Sequence, residues 1–368
     1  MHTVRVKLGP ASHSAFAGRG LIGRLGKLAK AAGLAPGRCA IVTDSNVERL
    51  YAGAAKAALI RAGFDPIVIS VPAGEASKSD AVLQPLYGRM VDAGLDRSSA
   101  VFALGGGVVG DLAGFAAATY LRGIAIVQVP TTVVAQVDSS LGGKTGIDHR
   151  HAKNLIGAFH QPRLIVADVD TLATLPEREF REGLAEAIKY GAIMDAPMIA
   201  DLERGLDAIL ARKPDALEEL AARSLAHKAA VVSSDERESG RRKILNFGHT
   251  IGHALEASAG YGNYLHGEAV AIGMAAAARL SKRFARLSTG GASRLEQLIE
   301  RAGLPIEMPP KWRGAKFVRA LNLDKKRKAD AIEFVLLDRL GHAITKRLTP
   351  DEIVAALDRL PSGNGARL

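Results

Sequence analysis

Apolar and polar positions divide the chain into two stretches with different periods. Through about residue 175, short apolar runs alternate with longer Ala-rich segments. CAIVTD (39–44), PIVISV (66–71), AVFALG (100–105), IAIVQVP (124–130) and RLIVAD (163–168) are apolar at successive positions, the pattern of strands buried on both faces. NVERLYAGAAKAALIRAG (46–63) and DAVLQPLYGRMVDAG (80–94) predict crossover helices. The order is that of βαβ units, so a parallel sheet covered by helices is expected, with ligands beyond the carboxyl ends of its strands. The first ten residues, MHTVRVKLGP, read as a further strand. Turn chemistry and Pro176 in TLATLPEREF (171–180) mark a boundary.

Beyond that boundary a helical period dominates. Helices are predicted at 180–194, 215–235, 249–260, 266–287 and 292–303, the last closed by Gly303 and Pro305. AIEFVLLDRLGHAITKRL (331–348) reads as a hairpin turning near Arg339 to Gly341. TPDEIVAALDRL (349–360) carries Thr349 as N-cap, Pro350 at the first helical position and Glu352 three residues after the cap. The expected fold class is therefore α/β, a Rossmann-like parallel-sheet domain (1–176) followed by a mainly α-helical, metal-binding domain (177–368).

Composition narrows the class. Of 368 residues 48% are apolar, with few aromatics, as in a tightly packed globular protein. No apolar run reaches the ~20 residues needed to span a bilayer, and the N-terminus lacks the charged-then-apolar order of a signal peptide. Cys39 is the only cysteine, which excludes intramolecular disulfides and makes a reducing cytoplasm the expected compartment. A net charge of +11 raises the question of nucleic acid. The densest basic run, KKRK (325–328), has no interleaved aromatics and no nucleic-acid-binding motif accompanies it, so nucleic acid is not expected and the charge reads equally as a basic surface or as a cleft for an anionic substrate.

Three segments carry chemistry. Gly105, Gly107 and Gly110 satisfy G-x-G-x-x-G between a strand and a helix, where backbone N–H groups can approach a pyrophosphate. The motif follows the third or fourth predicted strand and not the first, so the fold is a relative of the ordinary dinucleotide-binding class. DSSLGGKTGID (138–148) reads as a Gly-rich loop that could hold Lys144 over an anion, with Asp138, Lys153 and Asn154 close in sequence. Asp138 stands where a P-loop needs its first Gly, which excludes that ATPase signature. In the second stretch, His249 and His253 lie one helical turn apart, His266 follows, and Glu186 sits among Ala, Ile and Leu on another helix. One carboxylate with two imidazoles and an open position is the ligand set of a catalytic zinc site. HTIGH lacks the Glu of the H-E-x-x-H proteases.

GGGVVGDLAGFAAATYLRG, QVPTTVVAQVDSSLGGKTGID, KNLIGAFHQP, EGLAEAIKYG, LNFGHTIGHALE and LHGEAVAIGM, in this order, resemble the 3-dehydroquinate synthase family from about residue 40 to residue 340. The resemblance implies NAD and a divalent metal (zinc or cobalt) as cofactors, a homodimer, and conversion of 3-deoxy-D-arabino-heptulosonate 7-phosphate to 3-dehydroquinate and phosphate. It implies metal ligation by Glu186, His249 and His266. It implies NAD contacts from Asp44, Ala73, Gly74, Glu75, Ala76, Ser77 and Lys78, from Gly107, Val108, Val109, Gly110 and Asp111, and from Thr131, Thr132, Lys144, Lys153, Thr171, Leu172, Ala173 and Thr174. Asp138, Lys144, Asn154, Lys189, Arg242, Asn246, His253 and one of Lys325, Lys326 and Lys328 match the set that contacts substrate. Arg122 matches an arginine that reaches the partner subunit's phosphate site. Two positions depart from the family pattern: Ala152 precedes Lys153-Asn154 and Ala329 follows the basic run, each where Gly is common. Related readings are a sister sugar-phosphate cyclase and a metal-dependent polyol dehydrogenase; the latter would release NADH and need no phosphate-binding lysines.

Overall fold

The computed structural model describes residues 1–359 except 151, 261–262, 311, 313, 323–326 and 329–330, and of Asn322, Arg327 and Lys328 it describes the backbone only. The chain divides into two compact units, 1–176 with 212–237, and 177–211 with 238–368.

The first unit is built on a seven-stranded sheet. Its strands are β1 (His2–Val6), β2 (His13–Gly18), β3 (Arg38–Asp44), β4 (Asp65–Val71), β5 (Ala100–Gly105), β6 (Ala125–Pro130) and, after a separate hairpin of β7 (Lys144–His149) and β8 (Ala152–Phe159), β9 (Leu164–Asp168). The spatial order is β1-β2-β9-β6-β5-β3-β4. All pairings are parallel except β1 with β2. Every residue of β5 and β9 is buried, whereas edge strand β1 is buried only at Val6. Continuous apolar runs thus mark the central strands, because helices cover both of their faces. Helices Leu25–Ala31 and Gly53–Ile60 pack on one face around Ile41, Phe102 and Val166; Asp80–Asp92 and Gly107–Thr119 pack on the other around Val42, Val101 and Ile126.

Three expectations change here. The glycine motif follows the fifth strand in chain order, since the β1–β2 hairpin adds a strand that short polar-interrupted runs concealed. Segment 138–148 is not loop throughout. Gly142 and Gly143 turn the chain in the left-handed region, and residues from Lys144 onward pair with β8, Lys144 opposite Phe159. Helix Pro214–Ser234, expected in the second domain, belongs to the first unit, where it packs along β1, β2 and Ala135–Ser139. Its Ala- and Val-rich face needs an apolar partner, which the sheet edge supplies.

The second unit is mainly helical. Glu177–Met194, Ala196–Leu210, His249–Ala259, His266–Phe284, Thr289–Arg301, Ala315–Asn322 and Pro350–Leu357 are its α-helices. A three-stranded sheet of β10 (Arg327–Lys328), β11 (Ala331–Arg339) and β12 (His342–Leu348) completes it. The expected hairpin and terminal cap are both present, with Thr349 Oγ1 accepting from the Glu352 N–H at 3.1 Å. His266–Phe284 is the central helix, packed by 249–259, 177–194, 289–301 and β11. Gly267 lets it approach 177–194 so closely that an added Cβ would stand 1.8 Å from the Glu182 carbonyl oxygen. No helix among the described residues is long and apolar enough to cross a membrane.

Candidate functional site

In the second unit, the close approach of three helices brings Glu186, His249 and His266 together. Glu186 is 1% exposed, on the apolar stretch of helix 177–194. Its Oε2 pairs with the Lys189 ammonium one turn along, itself 1% exposed. Its Oε1 has no hydrogen-bond partner among the described residues. That atom lies 3.6 Å from His249 Nε2 and 3.4 Å from His266 Nε2. These separations exceed a good N–H···O hydrogen bond, about 2.7–3.2 Å. They match the edge between two ligands of a tetrahedral ion with bonds of about 2.0–2.2 Å, which is roughly 3.3–3.6 Å. An orphaned buried oxygen facing two imidazole nitrogens at that spacing fits a divalent metal. His249 Nδ1 lies 3.2 Å from the Phe247 carbonyl, so a proton there leaves the Nε2 lone pair for the ion.

The electrostatics agree with a charged centre. Burial alone would raise the Glu186 pKa, but Lys189 first and His266 next hold it down to about 2. Burial opposes charge on His266, yet the facing carboxylates of Glu186 and Glu256 lift its pKa to about 10, so this pocket attracts positive charge. Burial pushes the Glu182 carboxyl up to about 7, partly offset by the N–H of Gly267, which it accepts at 2.6 Å. Around the triad, the His253 ring centroid is 5.3 Å from that of His249 and 6.0 Å from that of His266. Arg242 is 2% exposed, and Asn246 donates to Glu238 Oε1 at 2.6 Å. Lys325 and Lys326 lie outside the described residues, as does the side chain of Lys328.

In the first unit, the residues expected to hold a dinucleotide lie at the carboxyl ends of parallel strands. Helix 107–119 begins immediately after β5, and its N-cap, Gly106, has no side-chain acceptor for the first-turn N–H groups. A Cβ on Gly106 would come within 2.9 Å of Thr132 Cγ2, so the turn is closed against the loop after β6. The hydroxyl oxygens of Thr131, Ser139 and Ser140 are buried there without partners among the described residues. Asp44, at the end of β3, caps the following helix by accepting from Asn46 and Val47 N–H at 2.9 and 3.1 Å.

A charged cluster gathers in the same unit. Lys78 is 4% exposed; its Nζ lies 2.9 Å from Asp111 Oδ2 and 3.7 Å from Glu75 Oε1, and it donates to Asn154. Burial disfavours its charge, but Asp111 and Glu75 raise its pKa; burial in turn raises that of Asp111 against the pull of Lys78. Lys153 lies 3.8 Å from Glu75, and Asn154, with a left-handed φ of 52°, donates its N–H to Asp148 at 2.7 Å. Ala152 is thus compatible with this bend, which falls two residues later. Lys144 is exposed at the start of β7. Thr171 and Thr174 are tied to the Tyr51 hydroxyl, at 3.0 Å from the Thr171 carbonyl and 2.5 Å from Thr174 Oγ1, while Arg212 donates to the carbonyls of Leu172 and Ala173. Arg122 is exposed, at the end of the Tyr120–Arg122 turn whose Tyr120 is buried, with φ of 69°.

Residues not anticipated also enter. Lys228, 6% exposed on helix 214–234, reaches Asp138 through its carboxylate at 3.0 Å and its carbonyl at 2.7 Å. Glu256 stands 3.8 Å from His266 Nδ1, and Glu238 holds Asn246. A lysine in AHKAAVV and a glutamate in HALEASA were the available signals, each a charge within an otherwise apolar helical stretch.

Comparison with known proteins gives a consistent picture. Family models match residues 68–182 (3-dehydroquinate synthase N-terminal) and 183–327 (3-dehydroquinate synthase C-terminal). The 3-dehydroquinate synthase of Geobacter metallireducens is 49% identical over 342 residues, covering 93% of this chain and 94% of the relative. Two solved sugar-phosphate cyclases share the fold. 2-epi-5-epi-valiolone synthase from Streptomyces hygroscopicus, with NAD+ and Zn2+ bound, has a TM-score of 0.85 at 28% identity, covering 94% of this chain and 95% of that one. 2-deoxy-scyllo-inosose synthase, complexed with carbaglucose-6-phosphate, NAD+ and Co2+, has a TM-score of 0.86 at 26% identity, covering 97% and 99%.

Proposed function

The chain belongs to the 3-dehydroquinate synthase family, and we propose from that premise how its own residues divide the work. It is a lyase that converts 3-deoxy-D-arabino-heptulosonate 7-phosphate to 3-dehydroquinate and phosphate in the shikimate pathway, with NAD and a divalent metal as cofactors. When bound, NAD would supply reversible oxidation of a substrate alcohol and the metal would supply Lewis acidity for it. The observation that carries the residue assignment is Glu186 Oε1, buried and unpartnered between His249 Nε2 and His266 Nε2.

Glu186, His249 and His266 would hold the metal, and two nitrogens with one carboxylate oxygen suit zinc, or cobalt in its place. Lys189 keeps Glu186 ionised and so keeps the third ligand available. The uncapped start of helix 107–119 and the buried hydroxyl of Thr131 would receive the pyrophosphate of NAD, with Asp44, the 73–78 turn, Lys153 and residues 171–174 around it. Lys144, Arg242 and the Asp138–Lys228 pair offer cations to the substrate's carboxylate and phosphate, Arg through two parallel N–H groups. Asn154 and Asn246 are each held by a neighbour, Lys78 and Glu238, and so present a fixed orientation to substrate hydroxyls. His253, exposed beside the triad, would assist proton transfer to or from the substrate, together with the substrate's own phosphate. We further propose a cytoplasmic homodimer in which Arg122 serves the partner's phosphate site.

The test is phosphate release from the heptulosonate phosphate by metal-loaded protein with catalytic NAD, following NADH by absorbance. Phosphate release without NADH accumulation, abolished by chelation, is expected. Accumulating NADH would indicate a polyol dehydrogenase, and no release with NAD bound would indicate a sister cyclase acting on another sugar phosphate.

A further inference from the structure

We propose that Glu256 is the positioning residue of His266, accepting its Nδ1–H and thereby presenting Nε2 as the metal-facing nitrogen; this rests on the metal triad proposed above. An imidazole ligand needs its second nitrogen protonated and held, or the ring can present the wrong atom. His249 meets this need locally, through the Phe247 carbonyl two residues back. His266 opens its helix, and no main-chain acceptor lies against its Nδ1 among the described contacts.

What faces that nitrogen is Glu256 Oε2, at 3.8 Å, while Nε2 on the other side of the ring stands 3.4 Å from Glu186 Oε1. A movement of about 1 Å brings the first separation to a hydrogen bond. The main chain at His266 is already pinned on both sides. Glu268 accepts the Leu265 N–H at 2.9 Å and Glu182 accepts the Gly267 N–H at 2.6 Å. The remaining freedom is rotation of the ring, and a half-turn about Cβ–Cγ would replace each nitrogen by a carbon. Glu256 is the group that distinguishes the two orientations.

Its position in sequence supports the role. His249, His253 and Glu256 follow at four and three residues, so they share one face of helix 249–259. Glu256 is 7% exposed, and a carboxylate that buried carries a desolvation cost which an N–H partner offsets. The same geometry contains a competing possibility, since His253, Glu256 and His266 also place one ligand atom each within 4.8 Å of one another. If Glu256 bound a second ion, it would be a ligand and not a positioning group.

The experiment is a chelator-competition titration of Co2+ into the full chain, comparing wild type, Glu256→Ala and Glu256→Gln, with circular dichroism to verify folding. Glu256→Ala should weaken binding by about 10- to 100-fold, and Glu256→Gln should remain within a few-fold of wild type, because its amide oxygen also accepts an N–H. Zinc-loaded wild type labelled with 15N-histidine should show His266 protonated on Nδ1, a readout that needs no variant. Unchanged affinity in Glu256→Ala, equal loss in Glu256→Gln, or a proton on Nε2 of His266 would each overturn the proposal. So would two metal equivalents in wild type falling to one in Glu256→Ala. Wild type that takes up no metal would overturn the triad itself, whereas metal uptake indifferent to Glu256 would leave the triad standing.

Discussion

Replacing Gly267 by Ala tests whether close helix packing builds the metal site. The new Cβ would stand 1.8 Å from the carbonyl oxygen of Glu182, 2.6 Å from its carbonyl carbon and 2.8 Å from its Oε2. The first atom is backbone inside helix 177–194, so it cannot swing aside. Reaching even a tight 3.0 Å approach requires the start of helix 266–284 to retreat by about 1.2 Å. Metal sites tolerate ligand displacements of about 0.2 Å, several-fold less than this. His266 adjoins the clash, and Glu186 lies one turn beyond Glu182, so the 3.4 Å separation between His266 and Glu186 should open. The expected result is loss of stoichiometric zinc after dialysis against a weak chelator, together with destabilisation of about 1–3 kcal/mol from overpacking. Metal analysis and denaturant melts of the same preparation measure both. Gly205→Ala is the control, on helix Ala196–Leu210 with nothing within 4 Å of the added carbon. It should keep its metal and be neutral or gain about 0.4–1 kcal/mol. A Gly267→Ala protein that retains wild-type metal content and stability would refute the reasoning.

Three further outcomes are expected. His249→Ala should lose both metal and turnover, and near-normal activity with unchanged metal content would remove His249 from the ligand set. Lys144→Ala should fold normally, as its side chain is exposed, yet lose cyclisation; wild-type rates would make it a solvated lysine without a role. Burial pushes the Cys39 thiol up to about 12, from an ordinary value of 9.0, with Asp65 adding to the effect. Only the unfolded chain then ionises between those values, so the contribution to stability is full below pH 9 and falls by about 1.4 kcal/mol per unit as pH rises towards 12. Denaturant midpoints at pH 8 and pH 10.5 should therefore fall further in wild type than in Cys39→Ala, and equal losses in the two would contradict this.

Legibility in the sequence followed how local each cause was. Strands β3, β5, β6 and β9 were readable because burial on both faces demands an unbroken apolar run, β4 was readable as a strand although it lies at the sheet edge and is only partly buried, and the Thr349 cap was readable because its partner is three residues away. The β7–β8 hairpin was not, since three glycines interrupt the alternation of β7 and its approach. Helix 214–234 was recognised as a helix but assigned to the wrong unit: an apolar stripe declares that it needs a partner without naming which.

The candidate site divides in the same way. Sequence spacing alone determined that His249 and His253 share a helix face, that a buried-looking Glu186 was available, and that a glycine turn opens a helix after a strand; these follow from 3.6-residue geometry and the chemistry of each side chain. Only the tertiary structure decided which histidine faces Glu186 alongside His249, setting His266 Nε2 at 3.4 Å through the glycine contact between helices 177–194 and 266–284. It alone joined Lys228 to Asp138, Lys78 to Asp111 and Glu256 to His266. Those pairings depend on distances between elements separated by many residues, and a one-dimensional pattern records the need for a partner but not the packing that supplies it.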